Sequence, residues 1–341
     1  MELMKQVFSK ENMYAAYKAV WQNQGSVGVD GMDLAETRLY LTCYWEDIKI
    51  SLLSGNYLPK AVLGVSIDKE NGGKRQLGIP TVTDRLIQQA IHQVLNRMWD
   101  KDFSRFSYGF RPNKNAGMAV RQARAYINSG YAHIVDIDLK SFFDKVNHDY
   151  LMSLMKRKID DPQLLRLIWR YLRSPMQVDS KLEKRRQGVP QGGPLSPILS
   201  NIVLDELDRE LENRGVRFVR YADDFSLFVS SKRAAQRLKR SIETFIQEKL
   251  HLEVNQAKSK VCRPLDYEYL GYAFESSYKK GARGQYQLVV AKSKLKKLKQ
   301  ELKCITRKTI PMSFDERIVR LNQLMRGWVN YFRYASMRRK R

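Results

Sequence analysis

A pair of adjacent carboxylates between two apolar segments is the feature of this sequence that most limits its fold. The stretch RFVRYADDFSLFVSS, residues 217–231, has apolar side chains before and after Asp223 and Asp224. Such segments favour β-strands, and a short polar link between two of them predicts a β-hairpin. Neighbouring carboxylates are costly to hold together and costly to bury without a partner. The segment therefore predicts a tight hairpin whose turn directs two acids toward a ligand.

A second acidic pair lies in the segment AHIVDIDL. In a strand, Asp136 and Asp138 lie on one face, and Val135, Ile137 and Leu139 lie on the other. This pattern alone is a weak indication of metal binding, because surface strands often contain acids. Acids from two strands converge only where the strands are neighbours, and a cation then offsets their repulsion. Mg²⁺ prefers such hard oxygen ligands, and two ions roughly 3.5–4 Å apart support an in-line displacement at phosphorus.

The charge of the chain indicates a polyanionic partner. The 61 Lys and Arg residues outnumber the 36 Asp and Glu residues, which gives a net charge of +25. Residues 291–341 contain 16 of the basic and 3 of the acidic residues. A basic helical tail can be only a solvated helix face, but the overall excess is too large for solubility alone. We expect nucleic acid as the partner, before an anionic membrane.

Cysteine spacing and hydropathy exclude several other classes of protein. Cys43, Cys262 and Cys304 are widely spaced, and the four histidines are scattered along the chain. This argues against a disulfide framework and against a zinc site. The first residues lack the apolar segment of a signal peptide, and no stretch approaches the length of a membrane span. We expect a soluble, cytoplasmic protein that binds no membrane.

Helical and strand patterns are mixed along the chain without strict βαβ alternation. Residues 1–60 predict amphipathic helices interrupted by a Gly-rich loop at 25–32, and residues 62–80 predict a hairpin. The further predicted elements are helices at 83–99, 116–129, 148–173 with a break near Asp161-Pro162, and 231–250, and strands in AHIVDIDL, LEVNQAKSKV, DYEYLGYAFE and QYQLVVA. This order predicts an α+β fold with a sheet backed by helices.

Seven motifs resemble, in order, those of the reverse transcriptases encoded by group II introns. YADD resembles their catalytic palm motif, and DLKSFFDKVNHD resembles the first palm motif. QGVPQGGPLSPILSNIVLDELD resembles the nucleotide-site loop and helix, and GKRQLGIPTVTDRLIQQAI and YGFRPNKNAG resemble motifs of the fingers and palm. YLGY resembles the primer-grip turn, and RGWVNYFR resembles the thumb. The resemblance covers nearly the whole chain.

The resemblance implies a right-hand polymerase with an antiparallel palm sheet backed by helices and a basic helical thumb. Residues 1–130 are the expected fingers with an N-terminal extension and part of the palm, 131–275 the palm with the catalytic site, and 276–341 the primer-grip exit and basic helical thumb. The implied activity is RNA-directed DNA polymerisation in a bacterial cytoplasm, with an RNA template, a DNA or RNA primer and dNTPs. Because the chain is short for the family, we expect it to lack most of the maturase region and any endonuclease domain.

The resemblance also assigns the metal ligands. Asp138 and Asp223 are the implied principal ligands of two Mg²⁺ ions, with Mn²⁺ as a substitute. Asp224 lies beside them, and Leu139 is an implied contact of both metal and nucleotide. Asp136 is either a carboxylate that supports these ligands or an exposed surface residue.

Other residues are implied in handling the nucleotide. Lys69 and Arg75 flank the turn of the 62–80 hairpin and correspond to residues that contact phosphate. Lys258 corresponds to the lysine that protonates the leaving pyrophosphate, with Lys260 as the nearby alternative. Phe143 corresponds to the aromatic steric gate that excludes a 2′-hydroxyl, and its alternative role is that of a core residue.

A last group is implied in contacts with the nucleotide, template and primer. Gln191 and Gly192 belong to the QGG loop, where the absence of a Cβ allows close approach of the backbone. Gly271 lies in the primer-grip turn. Arg85 and Arg111 are either template contacts or structural links between palm and fingers.

Two other functions remain as alternatives. The first is a splicing cofactor, or maturase, that binds a structured group II intron RNA with the same fold. The second is a domesticated relative that serves phage defence, retron synthesis or CRISPR adaptation. The presence of Asp138, Asp223 and Asp224 favours the polymerase, since a protein that only binds RNA does not need these acids.

Overall fold

The computed structural model describes residues 2–68, 72–179, 181–277 and 284–336. The chain divides into two compact units whose segments alternate along the sequence. Unit 1 comprises Met1–Ser104, Leu139–Arg209 and Phe245–Glu253, and unit 2 comprises Arg105–Asp138, Glu210–Thr244 and Val254–Arg341. The predicted fingers segment therefore contributes to both units, and the predicted domain boundaries remain a proposal.

Helices and strands alternate irregularly, as the sequence pattern predicts. The helices are α1 (Glu2–Val7), α2 (Lys10–Asn23), α3 (Leu34–Leu53), α4 (Val82–Trp99), α5 (Ala116–Asn128), α6 (Phe142–Lys145), α7 (His148–Lys156), α8 (Pro162–Arg173), α9 (Ser196–Asn213), α10 (Lys232–Lys249), α11 (Lys292–Ile305) and α12 (Phe314–Tyr331). The strands are β1 (Val62–Asp68), β2 (Lys74–Ile79), β3 (His133–Ile137), β4 (Met176–Val178), β5 (Lys181–Glu183), β6 (Arg217–Tyr221), β7 (Asp224–Val229), β8 (Lys260–Cys262), β9 (Glu268–Tyr269), β10 (Tyr272–Ser276) and β11 (Tyr286–Val290). A short 3₁₀ helix covers Pro264–Asp266.

Polar caps set the helix boundaries of unit 1. The Thr81 hydroxyl accepts a hydrogen bond from the Asp84 amide at the start of α4, and Asp33 and Glu36 form a capping box on α3. Asp161 caps α8, whose first residue is Pro162, so the predicted break between two helices is confirmed. The predicted helices in residues 1–60 are likewise confirmed as α1, α2 and α3.

The sheet of unit 1 contains the predicted hairpin. Its strand order is β2-β1-β4-β5, with β1 and β2 antiparallel and β4 parallel to β1. Leu63 is opposite Ile79, and the register continues to Asp68 opposite Lys74. The hairpin predicted for residues 62–80 is therefore confirmed.

Unit 2 contains the predicted antiparallel sheet, in the order β6-β7-β3-β8. Each neighbouring pair is antiparallel. In this order, β7 and β3 are the two central strands. Helix α5 packs on this sheet through a small apolar face that comprises Ala119, Val120, Ala123 and Ile127. A second sheet, in the order β11-β10-β9, shares the same core. The prediction of an antiparallel sheet backed by helices is confirmed.

One predicted strand is wrong. The segment LEVNQAKSKV forms a turn over Asn255–Lys258, and β8 begins only at Lys260. The amides of Lys258 and Ser259 both donate to the Asn255 carbonyl, at 3.2 and 2.9 Å. These local hydrogen bonds satisfy the backbone within the turn, so the segment has no need of a strand partner.

The C-terminal basic segment is helical, as predicted. Leu298 is the buried residue of α11, and α12 has no buried residue along its described length. Neither these helices nor any other in the described ranges is long and apolar enough to cross a membrane.

Candidate active site

One cavity of unit 2, of about 730 Å³, is lined by six carboxylates, and three of them lie where β3 ends and β7 begins. Asp136 and Asp138 come from β3 and the residue that follows it, and Asp224 begins β7. Lys258 and Lys260 line the same cavity. The structure thus brings together acids that are more than 80 positions apart, on neighbouring central strands, as the sequence pattern predicts.

The hairpin turn positions Asp223 and Asp224. Tyr221 pairs with Asp224, so Ala222 and Asp223 form a two-residue turn between β6 and β7. Ala222 has a φ of 57°, the left-handed region that residues other than glycine rarely adopt. Gly109 passes close to this turn, because a Cβ on Gly109 would be 2.1 Å from the Ala222 nitrogen. The turn is therefore packed against backbone that has no room for a side chain.

Asp138 is fixed through its own main chain. Its amide donates to the Ser259 hydroxyl at 3.0 Å, and its carbonyl accepts from the Asn255 amide at 2.8 Å. The Lys258 ammonium lies 3.2 Å from the Asp138 carboxylate. The turn that replaces the predicted strand thus places a lysine on this acid.

Asp136 lies directly behind Asp138 on the same face of β3. It is opposite Ser226 of β7, whose hydroxyl donates to the Asp136 carboxylate at 3.0 Å. Burial raises the pKa of Asp136 to about 6. Of its two alternatives, the geometry favours a carboxylate that supports the ligands over an exposed surface residue.

Electrostatic repulsion from the neighbouring acids acts on Asp224. Solvent reaches its carboxylate through the cavity, but protein surrounds it on most sides. This desolvation, together with the negative charges of Asp223, Asp138 and Asp136, raises the pKa of Asp224 to about 7, and Lys258 opposes the shift. An acid set of this kind favours the approach of a cation.

The donor set fits Mg²⁺. Asp138 and Asp224 line the cavity and Asp223 lies in the adjoining turn. Their carboxylate oxygens would suit this ion, which uses one or two carboxylates together with water and substrate phosphates. Within the four described ranges, no three Asp, Glu, His or Cys side chains converge on a single metal position. The residues present therefore suit an ion that is completed by its substrate. Leu139 belongs to unit 1 and is buried, and its side chain has no ligand atom.

The implied nucleotide-site residues of unit 1 lie on connected segments. Phe142 is buried, Phe143 is half-buried beside it with ring centroids 5.1 Å apart, and the Phe143 carbonyl accepts from the Val189 amide. The Gln191 carbonyl accepts from the amide of Gly78 in β2 at 2.8 Å. The structure thus joins the gate candidate and the QGG loop within one unit.

Gly192 is a position that requires glycine. Its φ is 127°, and a Cβ on Gly192 would be 2.8 Å from the Gly78 carbonyl oxygen. The loop therefore packs against β2 at backbone-to-backbone distance. Arg75 is exposed in β2, opposite Ile67, and Lys69 lies outside the described residues.

Arg85 and Arg111, which have template contact and structural link as alternative roles, differ in their surroundings. Arg85 is buried in unit 1, and a Cβ on Gly25 would be 2.3 Å from its guanidinium. Burial lowers the pKa of Arg85, and the charge of Asp30 opposes that shift. Arg111 of unit 2 donates to the Ser107 carbonyl at 3.1 Å. Gly271, with a φ of 78°, forms the β9–β10 turn next to Leu270, which lines the carboxylate cavity.

Three residues of the site were missed by the sequence reasoning. Ser226 of β7 and Ser259, just before β8, contact Asp136 and Asp138, but a single serine in or beside a strand gives no distinctive signal. Arg220 gives one: in the strand RFVRY it shares a face with Phe218, and that face is fully buried. The alternation of the strand therefore already places a charged residue at a core position next to two acids, and this misplaced charge could have identified Arg220.

Comparison with known proteins gives two family matches. The family of reverse transcriptases (RNA-dependent DNA polymerases) matches residues 67–274, and the group II intron maturase-specific domain matches residues 295–340. The second match covers helices α11 and α12, which the motifs assign to the thumb.

Curated relatives and one solved structure agree with these matches. Protein YkfC of Escherichia coli is 30% identical over 284 residues, which cover 72% of this chain and 74% of YkfC. The group II intron-encoded protein LtrA of Lactococcus lactis is 28% identical over 330 residues, and the chain spans about half of it, 54%. The structure of telomerase from Candida albicans aligns with a TM-score of 0.53 at 14% identity, over 88% of this chain and 62% of that one, and supports the fold alone.

Proposed function

The chain belongs to the reverse transcriptase family, with a segment of the group II intron maturase-specific type, and from this membership we propose that it is an RNA-directed DNA polymerase. Its α+β architecture is that of the right-hand polymerases. The proposed reaction extends a DNA or RNA primer with dNTPs on an RNA template. The observation that supports it best is the cavity at the point where β3 ends and β7 begins, which Asp138, Asp224 and Lys258 line together.

The chain's own residues account for each part of this reaction. Asp138, Asp223 and Asp224 would hold the divalent cations through their carboxylate oxygens, and a bound Mg²⁺ would supply Lewis acidity to the primer 3′-hydroxyl and the reacting phosphate. The 3′-oxygen bonds to the α-phosphorus and its proton passes to water. Lys258 protonates the bridging oxygen that leaves with pyrophosphate as its bond to the α-phosphorus breaks. Phe143, beside the buried Phe142, excludes a sugar that has a 2′-hydroxyl.

Replacement of Asp223 by Asn tests the proposal. The amide keeps the size of the side chain but removes its charge, so we expect primer extension on an RNA template to be abolished. Affinity for the template–primer and the melting temperature should stay near those of the wild type. Asp149→Asn, in the exposed first turn of α7, is the matched control and should extend primers normally. Normal extension by Asp223→Asn would contradict the assignment.

A second function, binding of a structured intron RNA for splicing, is favoured by a separate observation. The maturase-specific domain matches residues 295–340, and LtrA is a group II intron-encoded protein. Splicing does not require the polymerase acids. We therefore expect Asp223→Asn to promote splicing of a cognate intron as well as the wild type does. Loss of splicing with polymerase activity intact, in variants of residues 295–336, would separate the two functions.

A further inference from the structure

Arg220 is the largest fully buried side chain among the described residues, and it lies beside the Ala222–Asp223 turn that precedes Asp224. It belongs to β6, three residues before Asp223, and its exposed fraction is 0%. Burial of a guanidinium is costly unless hydrogen bonds compensate for the lost water. An apolar residue would fill this position at lower cost, so the charge itself calls for an explanation.

The guanidinium binds the turn. Its Nη1 donates to the carbonyl oxygen of Ala222 at 2.9 Å. That carbonyl belongs to the peptide bond between Ala222 and Asp223, so its direction determines where the Asp223 side chain begins. Because Ala222 has a φ of 57°, the turn adopts a conformation that an alanine by itself rarely takes.

The neighbouring backbone fixes Arg220 and the other side of the turn. The Arg220 amide donates to the Phe106 carbonyl at 3.0 Å, and its carbonyl accepts from the Tyr108 amide at 2.8 Å. Gly109 follows at once and contacts the Ala222 nitrogen so closely that it has no room for a Cβ. The turn is thus held between Gly109 and the guanidinium, as a strained backbone conformation requires.

We propose that Arg220 is a positioning residue, which holds the Ala222–Asp223 peptide so that Asp223 and Asp224 bind divalent cations together. The inference rests on the proposed function, because it assigns those acids to cation binding. Without the guanidinium, we expect the backbone at Ala222 to relax toward the conformations that alanine prefers. The carboxylates of Asp223 and Asp224 would then no longer be held in the arrangement that binds cations.

Equilibrium binding of Mn²⁺ to the whole chain, measured by electron paramagnetic resonance without nucleic acid, tests the proposal apart from catalysis. We expect Arg220→Met to lower Mn²⁺ affinity and the rate of primer extension each about 10–100-fold, as is typical when the partner of a metal ligand is lost. The KM for template–primer should not change. Arg220→Lys should recover part of both losses, since an ammonium also donates to the Ala222 carbonyl.

A matched control lies on the same strand. The guanidinium of Arg217 lies outside the core, over the ring of Tyr131 at 3.9 Å, so Arg217→Met removes an arginine from β6 without touching the turn. It should leave Mn²⁺ affinity unchanged. An equal loss in Arg217→Met would overturn the proposal, because the effect would then be one of general charge.

Gly109→Ala covers the case in which Arg220→Met fails to fold. It displaces the same turn from its opposite side and leaves the guanidinium in place, so it should lose Mn²⁺ affinity as well. If Gly109→Ala or a folded Arg220→Met binds Mn²⁺ as the wild type does, the positioning role is wrong. The two assignments can also fail separately. If the wild type binds Mn²⁺, the variants do not, and none of these proteins extends primers, then the positioning role stands and the polymerase assignment fails.

Discussion

The Lys258 ammonium lies 3.2 Å from the Asp138 carboxylate, on a turn that is hydrogen-bonded to the main chain of Asp138 on both sides. Ser259 accepts from the Asp138 amide, and the Asn255 amide donates to its carbonyl. These hydrogen bonds therefore hold the backbone of the Lys258 turn beside this acid. This geometry makes Lys258, more than Lys260, the proton donor candidate at the carboxylate cavity.

Replacement of Lys258 by Gln should slow the chemical step. Removal of a positioned general acid typically costs about 10²–10⁴-fold in rate, and template–primer affinity should not change. Single-turnover nucleotide addition measured by rapid quench separates the two. Lys260→Gln is the control, since the Lys260 ammonium donates to the Asp266 carbonyl on the wall of the same cavity. A larger loss in Lys260→Gln would transfer the role to Lys260, the alternative that the sequence left open.

Replacement of Phe143 by Ala should relax the choice of sugar. Loss of the half-buried ring leaves space for a 2′-hydroxyl, so the preference for dNTPs over rNTPs should fall about tenfold to a hundredfold. Competition between dNTP and rNTP in primer extension measures this ratio. Phe142→Ala removes the buried ring of the pair. That control should cost about 3–5 kcal/mol of stability and leave the sugar preference unchanged. The opposite pattern would return Phe143 to the core.

Replacement of Asp84 by Ala should destabilise unit 1 strongly. Its buried carboxylate accepts four hydrogen bonds, from Tyr57, Tyr171, Thr81 and the amide of Lys60. Truncation leaves these donors without an acceptor, which should cost more than about 3 kcal/mol. Chemical denaturation followed by tryptophan fluorescence measures the free energy of unfolding. Asp149→Ala, an exposed aspartate of α7, should change it by less than about 0.5 kcal/mol. Equal effects would show that the network adds no stability.

Local pattern was sufficient for the hairpins and for the acids. Alternation of apolar and polar residues predicted β1–β2 and the shared face of Asp136 and Asp138, because these depend on the two-residue repeat of a strand. A tight hairpin turn at the two acids followed from the abrupt change of polarity, although the turn residues are Ala222 and Asp223, and Asp224 is the first residue of β7. In each case the determining interactions lie within a few residues along the chain.

The elements that were wrong or missed depend on distant contacts. The turn at Asn255–Lys258 resembled a strand in its composition, but its position depends on Asp138, 121 residues from Ser259. Arg220 was overlooked for a related reason, since its burial depends on the segment around Phe106, which is more than 100 positions away. A single sequence contains no signal for such pairings beyond the misplaced polarity itself.

Stability at mildly acid pH should depend on His148. Its Nε2 donates to the Gly188 carbonyl at 2.7 Å. Burial, together with the charges of Arg185 and Arg173, lowers the pKa of His148, and the Gly188 hydrogen bond and Asp149 oppose this shift. The unfolded chain therefore takes up a proton first as the pH falls below about 6.5, and stability is lost on acidification.

The variant His148→Gln keeps a donor toward the Gly188 carbonyl but cannot be protonated. Its melting temperature should fall less between pH 7.5 and pH 5.5 than that of the wild type, as measured by circular dichroism. His251→Gln replaces an exposed imidazole and serves as the control. If His148→Gln loses as much stability on acidification as the wild type, the buried imidazole is not the group that responds.

Lysines on one face of α11 should determine the salt dependence of nucleic-acid binding. Lys296 and Lys303 are exposed and two helical turns apart, so both can reach phosphates of one duplex backbone. The double replacement Lys296→Ala and Lys303→Ala keeps helix propensity and should lower the slope of log K against log salt by about 2, one for each phosphate contact. Titration of an RNA–DNA hybrid by fluorescence anisotropy at several salt concentrations measures the slope.

The control pair Lys10→Ala and Lys156→Ala removes the same charge from exposed positions of α2 and α7 and should leave the slope unchanged. Equal slopes for both pairs would mean that the net charge of the protein, and not the α11 face with Lys296 and Lys303, determines the salt dependence.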